Sequence, residues 1–276
     1  MLLSIYLMVG ALALFAQCSS AADWKMTWSD EFDYTGLPDS KKWDYEEGFV
    51  RNNESQYYTR ARLENARVEN GVLVIEGRKE QFKNAKYKAG SDKWGEQSED
   101  ASYTSASLVT LGKACWTRGR IEVRAKLPQG KGVWPAIWTL GMPGPGVKWP
   151  DCGEIDIMEF LGREPGRMYG TLHYAVAGKH CQIQGVYEAK DLQETFHLYA
   201  IEWFDDRIDF FVDTIKYRTI ALDDAGKGGE NPFRKPHYLL INLALGGSWG
   251  GTIDDSVLPQ KYLIDYVRVY ESASGK

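Results

Sequence analysis

Helical periodicity is what this 276-residue chain has least of. No segment repeats apolar residues at helical spacing for more than a turn or two, residues 191–196 coming nearest. That excludes a helical bundle and argues against alternating strands and helices. A membrane-length apolar run is also missing. Residues 2–16 are almost wholly apolar, but as a helix they span about 22 Å at ~1.5 Å per residue, short of a ~30 Å hydrocarbon core. No charged side chain precedes Asp23, so the run lacks the basic start of an export signal and has only the α-amino group as its positive end. The small and polar Gln17-Cys18-Ser19-Ser20-Ala21-Ala22 that follow still make residues 1–22 read as a secretory signal peptide, cut near Ala21 or Ala22. Lipid attachment at Cys18 is the lesser alternative, because Gln17 is a poor residue before such a cysteine.

Cysteine is scarce, and once Cys18 leaves with the signal only Cys115, Cys152 and Cys181 remain. An exported chain can pair two of them, and a Cys152–Cys181 bond would tie the start of one strand to a later loop. No His or Cys spacing suggests a zinc site. Positive charge is in deficit, with 33 Lys and Arg against 38 Asp and Glu, a net charge of −5. A mildly acidic chain is a poor partner for nucleic acid or an anionic membrane. Repeats, low-complexity tracts and shifts of composition are absent as well, so residues 23–276 read as one domain large enough for a full core. Within it, residues 87–103 are polar and charged and read as a long surface loop.

What the chain does have is short strands. Residues 120–127 alternate cleanly, with Ile121, Val123, Ala125 and Leu127 on one side and Arg120, Glu122, Arg124 and Lys126 on the other. Similar runs occupy 72–76, 133–140, 169–174, 198–203, 208–212, 238–245 and 262–270, separated by Gly, Pro, Asn and Asp. Many short strands with turn-rich joints imply an all-β sandwich or barrel. Ten tryptophans and sixteen tyrosines fit a carbohydrate-binding protein, although a filled core would need aromatics too.

One strand stands apart. Cys152-Gly153-Glu154-Ile155-Asp156-Ile157-Met158-Glu159-Phe160 sets three carboxylates among strand-forming apolar residues. Desolvating a carboxylate is costly unless it has a partner or a job. Glu154 and Asp156 share a strand face, but simple alternation puts Met158 rather than Glu159 on it. A β-bulge that absorbs one residue between Asp156 and Glu159 would turn all three acids the same way. The two glutamates are then four effective steps apart, roughly 13 Å at ~3.3 Å per residue. Side chains leaning together can bring the carboxyls to about 5–6 Å, the spacing of a retaining glycosidase rather than an inverting one. The plainer alternative is a surface strand with solvated acids.

These residues are similar to a known family. Glu154-Ile155-Asp156-Ile157-Met158-Glu159 resembles the E-x-D-x-x-E signature of glycoside hydrolase family 16. Gly132-Val133-Trp134-Pro135-Ala136-Ile137-Trp138, Trp149-Pro150, Gly170-Thr171-Leu172-His173 and Asn242-Leu243-Ala244-Leu245-Gly246-Gly247-Ser248-Trp249 resemble its laminarinase-like branch. So do Trp28-Ser29-Asp30-Glu31-Phe32 near the start and Ile264-Asp265-Tyr266-Val267-Arg268-Val269-Tyr270 near the end.

The resemblance implies a β-jelly-roll sandwich of two antiparallel sheets with a concave substrate cleft. It implies Glu154 as nucleophile, Glu159 as acid/base and Asp156 as the nucleophile's assistant. His173, on a neighbouring antiparallel strand, is expected to approach Glu159. Trp134, Trp138 and Trp249 are expected to stack on sugar rings, with core packing the alternative for the first two and exposure expected for the third. Asn53, Asn242 and, more weakly, Arg78 are expected to bind hydroxyls. No cofactor is expected for catalysis. A structural Ca²⁺ is implied on the carbonyls of Glu31 and Gly71 and the carboxylate of Asp265, the alternative being Asp265 paired with a nearby base.

The leading expectation is a secreted, monomeric, retaining endo-β-1,3-glucanase whose partner is a polysaccharide. Hydrolysis of marine galactans, as by an agarase, porphyranase or carrageenase, is the second reading. A non-catalytic glucan-binding protein is the third.

Overall fold

The computed structural model describes residues 23–226 and 231–273, so the expected signal peptide and Cys18 lie outside the described residues. The first strands are β1 (Trp24–Asp30), β2 (Asp44–Tyr45), β3 (Gln56–Tyr58), β4 (Ala66–Glu69), β5 (Val72–Lys83), β6 (Asp100–Ser105), β7 (Ser107–Val109) and β8 (Gly119–Lys126). Then come β9 (Val133–Gly141), β10 (Glu154–Phe160), β11 (Arg167–Val176), β12 (Lys179–Glu188) and β13 (His197–Trp203). β14 (Arg207–Val212), β15 (Ile215–Ala221), β16 (His237–Leu245) and β17 (Gln260–Ser272) complete the set. The α-helices among the described residues are single turns, α1 (Trp94–Gln97) and α2 (Gly247–Gly250). Residues 191–196 make a hydrogen-bonded turn, Glu194 N–H to Asp191 O at 2.8 Å, and no helix.

Two sheets form the sandwich. A ten-stranded sheet runs β15-β14-β13-β8-β17-β5-β6-β3, with β1 also on β17 and β4 on β5, and a seven-stranded sheet runs β12-β11-β10-β9-β16-β7-β2. The expectation of purely antiparallel sheets needs one correction, because β3 pairs with β6 in parallel. The chain reaches β6 only after passing through β4 and β5, and such a crossover permits a parallel pair where a hairpin would not. The loop expected over 87–103 is also partly structured, since α1 and the start of β6 lie within it. Small residues conceal that strand: Ala101, Thr104 and Ser105 are buried without an apolar run.

Packing between the sheets follows the alternation read from the chain. Ile121, Val123 and Ala125 of β8 are wholly buried in the main core, which also takes Leu239, Ile241, Leu243 and Leu245 of β16. Gly77 marks one close approach, because a Cβ there would meet Leu243 and Leu245 methyls at 3.2 Å. The intervening β16 residues Leu240 and Ala244 pack on the opposite side, against Trp138 and Trp134 respectively. Both faces of β16 are thus covered, one by core and one by aromatic rings.

β10 carries the bulge. Asp156 pairs with Trp138 and Met158 with Ile137, two steps on β10 for one on β9. On the other side Asp156 pairs with Thr171 and Glu159 with Tyr169, three steps for two. Ile155, Ile157, Met158 and Phe160 all enter the core. Burying each contributes roughly 1.5–3 kcal/mol, which offsets the desolvation of the acids on the reverse face.

No disulfide supports this strand. Cys115, Cys152 and Cys181 are all free, which corrects the expected Cys152–Cys181 pair. Cys181 sits within β12, opposite Tyr174, instead of in a loop over the start of β10. The bulge is therefore held by packing and by the ladders to β9 and β11. Met158→Ala is expected to cost about 2–5 kcal/mol, read as a lower urea midpoint with an unchanged denaturant slope.

Candidate active site

Gly153, with φ +77°, turns the chain into β10, and a Cβ there would strike Pro232 at 2.7 Å. The strand that follows aims Glu154, Asp156 and Glu159 into one cleft on the outer face of the seven-stranded sheet. Burial deepens along it: the Glu154 side chain is 17% exposed, whereas Asp156 and Glu159 are 2% and 8% exposed. Two recesses of about 320 Å³ and about 560 Å³ share Asn52, Trp134, Trp149, Glu154 and Glu159, so the acids stand where they meet.

Electrostatics separate the three acids. Burial, with the Asp156 charge beside it, pushes Glu154 up to about 8, while His173, the Trp149 N–H and Arg51 pull it back. Burial also raises Asp156. Glu159 is raised well above the carboxylate range, through burial and then the charges of Asp156 and Glu154. Like charges this close cannot all ionise near neutrality, so the set retains at least one proton.

Each acid has a fixed neighbour. Trp134 Nε1 donates to Glu159 Oε1 at 3.1 Å, and Trp149 Nε1 donates to Glu154 Oε2 at 2.9 Å. His173 Nε2 lies 3.1 Å from Asp156 Oδ2, in ion-pair rather than hydrogen-bond geometry, and 4.0 Å from Glu154 Oε1. His173 also acts on Glu159 through its charge, but its direct neighbours are Asp156 and Glu154. β11 runs antiparallel to β10, so His173 falls opposite Glu154, and Tyr169 stands opposite Glu159.

The remaining predicted residues divide. Trp138 Nε1 donates to Asn242 Oδ1 at 2.7 Å, and Asn242 Nδ2 donates to the Tyr58 hydroxyl at 2.9 Å. Both residues line the smaller recess. Trp249 is half-buried instead of exposed, edge-on to Trp134 at 5.5 Å and tilted on Tyr169 at 5.1 Å. Asn52 lines both recesses, whereas the expected Asn53, exposed beside it on the same left-handed turn, lines neither. Arg78 lies on β5 in the other sheet, ion-paired with Glu76 and Glu80, because its strand belongs to the layer behind the core.

The implied calcium ligands do not form a ready site. Asp265 accepts from Arg124 at 2.5 Å, and the Glu31 carboxylate is held by Arg268 at 2.8 Å. The only charged donor of that set is already neutralised. Among the described residues, Glu154, Asp156 and His173 instead bring one donor atom each within 4.8 Å of one another.

Sequence reasoning missed several contributors. Arg51 lies over the Trp138 ring at 4.8 Å and pairs with Glu46. Glu54, only 3% exposed, accepts from Asn52, Gln56 and Tyr58, and so links the 51–55 turn to the Tyr58–Asn242–Trp138 chain. His180 of β12 stacks on His173 with rings 5.0 Å apart. The crowding of polar residues between Arg51 and Gln56, just before an aromatic strand, was the signal available for the first two.

A β-sandwich with paired glutamates in a tryptophan-lined cleft defines a glycoside hydrolase. Residues 53–268 match glycosyl hydrolases family 16, and the chain belongs to that family, whose members are retaining enzymes. It is 45% identical over 263 residues to a beta-glucanase of Rhodothermus marinus, covering 91% of this chain and 86% of that one. The structure is similar to that of the laminarinase from Rhodothermus marinus, with TM-score 0.78, 43% identity and coverage of 91% and 98%. It is also similar, with TM-score 0.85 and 39% identity, to a structure from work on endo-acting O-glycanases with which human gut bacteria initiate mucin breakdown, covering 91% and 92%.

The raised carboxyls make stability depend on pH. A carboxyl whose folded pKa lies above its unfolded value adds stability at low pH and loses it as pH rises through the folded value. For Glu154 that window runs from about 4.5 to about 8. Glu154→Gln has no proton to lose there, so its unfolding midpoint relative to wild type should be higher at pH 9 than at pH 4.5. Parallel curves for the two proteins would refute the assignment of burial to Glu154.

Proposed function

We propose that the protein is an exported endo-β-1,3-glucanase that hydrolyses laminarin-type glucan by double displacement. The observation that carries this is the bulged strand, which sets both glutamates on one cleft face between two recesses. Recesses on both sides of the reacting bond favour binding along a chain, and hence internal cleavage. Glu154 is the nucleophile, because a tryptophan N–H, an imidazole and Arg51 all stabilise its charge. Glu159, which burial and two neighbouring carboxylates favour in its protonated form, is the acid/base.

In the first step a Glu154 oxygen bonds to the anomeric carbon as the glycosidic bond breaks, and Glu159 gives its proton to the departing oxygen. In the second, Glu159 takes a proton from water, whose oxygen displaces Glu154 from the sugar. Asp156, beside Glu154, and His173, beside Asp156, hold the nucleophile's charge in place. Trp138 and Trp249 offer apolar rings on either side of the acids, with Asn52 and Asn242 as hydroxyl partners.

A second reading has a specific support: the O-glycanase structure superposes with the higher TM-score, 0.85 against 0.78 for the laminarinase. On that reading the substrate is a mucin O-glycan chain and the chemistry is unchanged. Laminarin, mixed-linkage glucan, agar, carrageenan and mucin O-glycans in one reducing-end assay separate these readings. Turnover highest on laminarin is expected, and release from mucin glycans or a galactan alone would replace the glucan assignment. Glu154→Gln and Glu159→Gln should each lower turnover on the preferred substrate by about 10²–10⁴-fold, and wild-type rates in either would end the mechanism.

Calcium is given no catalytic part. Because Arg124 already neutralises Asp265, added Ca²⁺ is expected to leave both melting temperature and turnover unchanged in parallel calorimetry and rate measurements.

A further inference from the structure

The outer atoms of the catalytic cluster are arranged in a way that hydrolysis does not require. Trp149 Nε1 takes Glu154 Oε2 at 2.9 Å, leaving Oε1 turned toward His173. Asp156 Oδ2 is buried without a hydrogen-bond partner, 3.1 Å from His173 Nε2. His173 Nδ1 is in turn 2.8 Å from His180 Nε2, and the two rings stack at 21°. Trp149 closes the outer side, its ring 4.7 Å from that of His180. Two carboxylate oxygens and one imidazole nitrogen converge within 4.8 Å, and the recess beside them leaves room for water.

We propose that Glu154, Asp156 and His173 bind a divalent ion of the Zn²⁺ or Cu²⁺ class, and that this ion reversibly inhibits the enzyme. Three protein ligands plus an open position is the pattern of an accessible zinc site. Mixed nitrogen and oxygen donors suit borderline transition ions, whereas Mg²⁺ and Ca²⁺ prefer oxygen alone. His180 fixes the His173 ring through the nitrogen that does not face the ion. The ion would satisfy the orphan Asp156 oxygen and neutralise two close carboxylates. It would also occupy the Glu154 oxygen that must reach the sugar, so metal and substrate exclude each other. Only the inhibition rests on Glu154 being the nucleophile. Binding itself does not depend on that reading.

Calorimetric titration of the purified protein with ZnCl₂, with MgCl₂ as control, tests the site without any substrate. One Zn²⁺ per chain is expected, with no saturable heat from Mg²⁺. Affinity should fall at least tenfold in both Glu154→Gln and His173→Ala, fall less in His180→Ala, and stay unchanged in Cys115→Ser, which removes an exposed thiol. Melting temperatures of the variants without metal show whether each still folds, and Glu154→Gln, which keeps the shape of the side chain, serves if His173→Ala does not. Undiminished zinc binding in Glu154→Gln, or no saturable binding by the wild type, overturns the site. In the rate assay, Zn²⁺ should inhibit hydrolysis, and a chelator should restore it. Binding without inhibition overturns the inhibitory part alone. Failure on every polysaccharide with binding intact would fall on the proposed function instead.

Discussion

Three carboxylates held on one side of a strand whose other side is core is the constraint on which this structure turns. The acids share a face only because Ile157 and Met158 both turn inward at the bulge. Without that irregularity, Glu159 would sit in the core and Met158 in the cleft. The bulge is neither a loop nor a hinge. It is flanked by ladders to β9 and β11 on both sides and anchored by four buried apolar side chains. Local strand geometry and catalytic geometry are therefore one requirement. Core packing holds the acids close despite their repulsion.

The next layer keeps the cleft rigid. Trp134 and Trp149 each present a ring to the cleft and an N–H to a catalytic glutamate. Trp138 is fixed by Asn242, which is fixed by Tyr58, whose hydroxyl ends on Glu54. That chain crosses from β9 through β16 to β3, so three separate parts of the sequence determine one cleft-lining ring. Glu54 is a buried carboxylate with three donors, and burial still raises it. Its hydrogen bonds to Asn52, Gln56 and Tyr58 tie the cleft-lining 51–55 turn to the buried strand behind it.

How much was legible in the sequence depended on whether local pattern or distant pairing decided the outcome. The bulge could be read from parity alone, because two residues between Asp156 and Glu159 cannot alternate. Strands with an apolar face, such as β8 and β16, were equally plain. β12 and β15 were not, and each is the outermost strand of its sheet. An edge strand buries little, so Lys179–Glu188 and Ile215–Ala221 carry few apolar residues in register. His180 was lost with β12. That His173 also stands opposite Glu154 is not readable in advance, because strand order across a turn does not give register. Arg78 failed for a related reason: its residue type suited a sugar site, but only the sheet assignment shows that it lies behind the core.

Two contacts bear on how the site distributes charge. As the proposed nucleophile Glu154 needs its charge, yet burial and Asp156 both oppose it. Trp149 and His173 were needed to resolve that conflict, because each stabilises the anion from a side that the strand itself does not supply. Glu159 has a tryptophan N–H as well, but it lies deeper and faces two like charges. Burial and like charge leave the cluster holding at least one proton. Identical side chains five positions apart thus meet different depths and neighbours, and the bulge is what sets both in one cleft.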